Sequence, residues 1–107
     1  MHGGKTLAAL FYLRTFIEQF ARRITGTQGK ETGDVIMDKY SATLPPRQRD
    51  AMPSLRDSYG RLSEALHVAR EDQKLLEASL DAVQTHFDFR RIFKIQELKS
   101  EPQQTSS

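Results

Sequence analysis

Ten residues through the second half of the chain follow one another at strictly alternating spacings of four and three: Leu55, Tyr59, Leu62, Leu66, Ala69, Gln73, Leu76, Leu80, Val83 and Phe87. Only Gln73 is polar, and neither glycine nor proline interrupts the run after Gly60. A repeat of 3.5 residues keeps one apolar stripe on one side of a helix. The spacing therefore predicts a single long helix over about 50–86 with a coiled-coil-like seam. Asp50 can cap its start with Pro53 in the first turn, or Ser54 can cap it while 46–52 forms a separate helical turn. Gln73 is read as a residue that fixes register in the seam, or as a place where the seam faces water.

Such a helix would be about 55 Å long at 1.5 Å per residue. A compact chain of this size is only about 35 Å across. The expected protein is therefore elongated, with a helix over about 5–25 laid antiparallel along the long one. Leu10, Leu13, Ile17, Phe20 and Ile24 mark the buried stripe of that first helix, and Phe11 and Phe16 widen it. Gly26 is its expected C-cap. A short helix over about 34–43, carrying Ile36, Met37 and Tyr40, stops before Pro45 and Pro46. The fold class is all-α, in one domain over 1–99, with a polar, disordered tail over 100–107. Because the first helix is shorter than the long one, part of the seam needs another cover. A second copy of the chain is the preferred answer and a different protein the alternative.

Beyond Phe87 the next seam positions would be Arg90 and Lys94, so the register is expected to fail there. Segment 86–98 is read as a kinked continuation or a fold-back. Phe87, Phe89, Arg90, Arg91 and Phe93 alternate aromatic and cationic groups, the residue types that dominate binding hot spots, and are the first candidates for a partner-facing surface.

Chemistry is sparse. The absence of cysteine rules out disulfides, thiolate nucleophiles and cysteine-based zinc sites. His67 with Glu64 and Glu71 could share a helical face, but without HExxH or ExxH spacing this reads as a solvated surface. The segment GTQGKETG (26–33) lacks the Walker spacing, and no GxSxG nucleophile turn exists. No enzyme, cofactor, metal or small-molecule substrate is inferred. The net charge is only +2. Basic residues nevertheless gather at Arg22 and Arg23, at Arg47 and Arg49, and at Arg90 and Arg91, where phosphates could bind.

No apolar run reaches the roughly 20 residues that span a bilayer, and no signal peptide is read, so a cytoplasmic location is expected. Secretion by a route that needs no signal peptide stays open. The functional expectation is a non-enzymatic helical interaction module, of the adaptor, chaperone or regulatory antagonist kind, working as a homodimer or with another protein. The alternatives are a small dimeric nucleic-acid-binding regulator that uses the basic ends, and a secreted helical effector.

Overall fold

The computed structural model describes residues 3–93, which form five helices and no strand. These are α1 (Gly3–Thr25), α2 (Gly33–Ala42), α3 (Pro46–Ala51), α4 (Leu55–His67) and α5 (Gln73–Phe93). The expected tail over 100–107 and the domain boundary at 99 lie outside the described residues. The first and the short helix stand where their apolar spacing puts them. The body is elongated, 57 × 30 × 19 Å.

The single helix over 50–86 does not exist. Its N-terminal part is the six-residue α3, and Ser54 starts α4 afresh by accepting a hydrogen bond from the Asp57 amide at 3.0 Å. A second break falls inside the seam. Helix α4 ends at His67, with Ala69 in the left-handed region at φ 54°. The Arg70 amide donates to the Ala65 carbonyl at 2.8 Å and the Ala69 amide to that of Leu66 at 3.1 Å. This pair of bonds is a Schellman cap. Asp72 then opens α5, its carboxylate accepting from the Leu75 amide at 2.9 Å.

The physical reason lies in what the repeat encodes. Spacings of four and three mark a face that is buried; they do not say that the same helix carries the face throughout. A straight 55 Å helix would leave much of its seam in water. Folding at 68–72 lets α5 cover α4, and Leu55, Tyr59, Leu62, Ala65, Leu76 and Val83 enter one core. Gln73 lands at the exposed start of α5, accepting from the Thr6 hydroxyl at 3.2 Å. It is a surface residue and sets no buried register. Glu71 sits in the connection, so His67, Glu64 and Glu71 do not share a helix face.

Helix α1 runs antiparallel to α4: Arg14 meets Ser63 and Tyr59, and Glu18 meets Tyr59. It runs parallel to α5, because Thr6 meets Gln73 and Phe20 meets Phe87. The antiparallel expectation thus holds for α4 and reverses for α5. Helix α2 packs on α1 and α4, closing the core with Ile36, Met37 and Tyr40. Its cap is Thr32, which accepts from the Val35 amide at 3.3 Å.

Candidate interaction surface

The register continues past Phe87. Arg90, seven residues after Val83, keeps the buried side of α5 and is only 5 % exposed. It therefore does not face a partner. Its guanidinium lies 5.2 Å from the centre of the Phe20 ring and 5.8 Å from that of Tyr40. Aromatic faces attract a cation, which helps to hold this charge inside.

Beneath it runs a chain of hydrogen bonds whose directions follow from the one acceptor that cannot donate. The Pro53 carbonyl accepts from His86 Nδ1 at 2.7 Å, so Nδ1 carries the proton. In the neutral ring Nε2 is then an acceptor, and the Tyr40 hydroxyl donates to it at 2.6 Å. The Tyr40 oxygen in turn accepts from Arg90 Nη1 at 3.1 Å. Burial lowers the His86 pKa below its ordinary value, and the Arg90 charge pushes the same way against the Pro53 bond. The chain ties α2, the α3–α4 connection and α5 together as an interior lock.

A second polar cluster joins α1 to α4. Arg14 Nε donates to Ser63 at 2.8 Å, Arg14 Nη2 to the Tyr59 hydroxyl at 3.0 Å, and that hydroxyl to Glu18 at 3.3 Å. Arg14 also lies over the Tyr59 ring. Burial raises the Tyr59 pKa, with the Glu18 charge adding to it. Both clusters are used in holding helices together.

Several of the basic residues suggested as phosphate contacts have partners within the chain. Arg22 pairs with Glu18 at 3.1 Å and reaches the Glu31 carbonyl, while Arg23 packs over Phe20. Arg49 donates to the Ser41 carbonyl, and Arg47 is exposed on α3. Arg91 pairs with Asp88 at 2.9 Å.

The open apolar surface lies elsewhere, on the parallel pair α1 and α5. Tyr12 and Phe16, one turn apart on α1, are 70 % and 51 % exposed. Across the groove, Leu80 of α5 is 51 % exposed. Phe87, two turns further along that face, is half-buried with its ring 5.8 Å from Phe16 and 4.6 Å from Phe20. Of the predicted partner-facing aromatics, Phe89 and Phe93 stack on each other at 5.4 Å and pack on the core. Sequence reasoning missed Tyr12 and set Phe16 inside the bundle, because only the parallel placement of α1 beside α5 joins them to Leu80. Next to Phe16, a shallow depression of about 350 Å³ is lined by Phe16, Gln19, Phe20 and Arg23.

Among the described residues, no three histidine, aspartate or glutamate side chains could hold a metal ion, and no helix is long and apolar enough to cross a membrane. No protein-family model, curated protein or solved structure matches the chain.

Proposed function

We propose that this chain is a non-enzymatic helical interaction module that presents the α1/α5 face to another protein surface. One observation carries the reading: Tyr12, Phe16 and Leu80 each leave half or more of their surface in water on adjoining turns of two parallel helices. Clustered exposed aromatic and aliphatic groups mark protein interaction sites on folded domains. The polar clusters support it from the other side, since the titratable groups that are buried hold helices together. A role as adaptor, chaperone or regulatory antagonist suits a small helical body with an exposed apolar face. The proposed setting is the cytoplasm, where a chain without cysteine relies on helix packing alone.

Photo-cross-linking in cells tests this. A photoreactive residue at position 80 should give protein adducts, whereas the same residue at Asp57, on the exposed side of α4, should give none. Absence of any adduct at 80 would overturn the reading.

A further inference from the structure

We infer that the α1/α5 face docks on the same face of a second copy of this chain, about a two-fold axis parallel to the two helices. The inference rests on the interaction-module reading above and supplies its partner.

Two relationships set the levels along the pair. Thr6 meets Gln73, 67 positions later, and Phe20 meets Phe87 at the same separation. Tyr12 is therefore level with Ser79, next to Leu80, and Phe16 is level with Val83, midway between Leu80 and Phe87. A two-fold axis parallel to the helices leaves every level unchanged and lays α1 of one copy over α5 of the other. Tyr12 and Phe16 then fall on either side of the partner's Leu80, with Phe16 in the space between it and the partner's Phe87. The apolar teeth interlock without any shift, because symmetry fixes the register.

Charge at the N-terminal end of the pair favours this axis over the other face-to-face arrangement. Helix α1 has one acidic residue, Glu18, which is turned to Tyr59 and Arg22. Its exposed residues include the cations Lys5 and Arg23. On the outer side of α5, Glu77 and Asp81 are exposed. An axis across the helices would set α1 on α1 and bring like charges together. The parallel axis sets α1 on α5, with Lys5 about 7.5 Å along the helix from the partner's Glu77 at 1.5 Å per residue. At the other end Arg23 comes level with the partner's Arg90 and the partner's Arg91, where Asp88 already pairs with Arg91.

The area fits a modest dimer. Two helices about 34 Å long and about 10 Å apart offer roughly 600 Å² per copy, near the lower end for specific interfaces. Association in the micromolar range is expected from so small a contact.

Sedimentation equilibrium on the purified chain decides the matter. The mass should climb from 12.2 kDa toward twice that as concentration rises through the micromolar range. Leu80→Glu, at a half-exposed site, should weaken the dimer at least about tenfold with unchanged helical circular dichroism. Lys5→Glu and Glu77→Lys should each weaken it about threefold, and the two together should restore it. A chain that stays monomeric at millimolar concentration overturns the inference, as does a dimer that Leu80→Glu leaves intact. A double charge exchange that fails to restore association overturns the parallel docking. A monomer whose position 80 still cross-links to a different protein in cells removes the second copy and leaves the interaction module standing. A monomer without adducts removes both.

Discussion

Tyr40 and His86, 46 residues apart in the chain, share a 2.6 Å hydrogen bond in the interior, and its direction makes the fold sensitive to acid. Tyr40 donates to a neutral His86 whose other nitrogen is committed to Pro53. A proton on Nε2 would meet the Tyr40 hydroxyl as donor against donor, beside the Arg90 charge. The folded pKa is lowered, so between the folded and unfolded values the unfolded chain binds more protons, and stability rises with pH. The contribution is fully present above the unfolded value of about 6.5 and is lost as pH falls from there through the folded value. Urea unfolding across this window should show a slope that His86→Gln flattens. If the slope survives in that variant, His86 does not cause it.

The same bond can be broken while the His86 imidazole is kept. Tyr40→Phe keeps the ring against Phe20 but leaves Arg90 Nη1 and His86 Nε2 without their partner. An unsatisfied buried polar group costs about 1–3 kcal/mol, so chemical denaturation should show a loss of that order. A change under 0.5 kcal/mol, the scatter of ordinary surface substitutions, would mean that water replaces the hydroxyl.

Ala69 holds a backbone conformation that suits glycine. The cap at Gly26 has the same bond pattern, Thr27 to Arg22 and Gly26 to Arg23, with glycine at the left-handed position at φ 68°. A side chain in that region costs roughly 1–2 kcal/mol, partly offset by the greater freedom of glycine in the unfolded chain. Ala69→Gly should therefore stabilise the fold by up to about 1 kcal/mol. A thermal melt of the variant that falls below the parent would refute the strain at this turn.

These two caps also show what could be read in advance. Gly26 announces the end of α1 because the residue itself suits the turn. The end of α4 carries no such signal: alanine favours helix, and only the fold forces it out. Asp72, three residues before Leu75, was the one visible sign of a new start, and the uninterrupted spacing of the leucines masks it. The buried faces were legible in the periodicity. The parallel α1/α5 pair was not, since it depends on where the chain turns back. Arg90 was hidden for a different reason, because a cation at a seam position signals water unless aromatic rings enclose it.

Gly33 sits at the start of α2 directly under Tyr59. A Cβ there would overlap the Tyr59 hydroxyl and ring. That ring has little room to yield, since Arg14 and Glu18 hold its hydroxyl and Arg14 covers its face. Gly33→Ala should cost about 1–3 kcal/mol, as overpacking does elsewhere, although alanine favours helix by itself. Equilibrium unfolding gives the sign directly: a stabilised variant would show that Tyr59 swings away freely.

Leu62 and Leu80 both belong to the four-three repeat of the sequence and have opposite surroundings. Leu62 is fully buried between α4 and the rest of the core, while half of Leu80 stands in water on the α1/α5 face. Truncating a buried leucine removes its transfer free energy and leaves a cavity, so Leu62→Ala should cost about 2–5 kcal/mol. At Leu80 the neighbouring space is already solvent. There the same change should cost well under 2 kcal/mol in dilute solution, where the proposed dimer would be dissociated. Its larger effect should appear only as the concentration rises and the exposed face is covered. Urea titrations of both variants at low and high protein concentration separate the two contributions. Equal losses at low concentration would return Leu80 to the core.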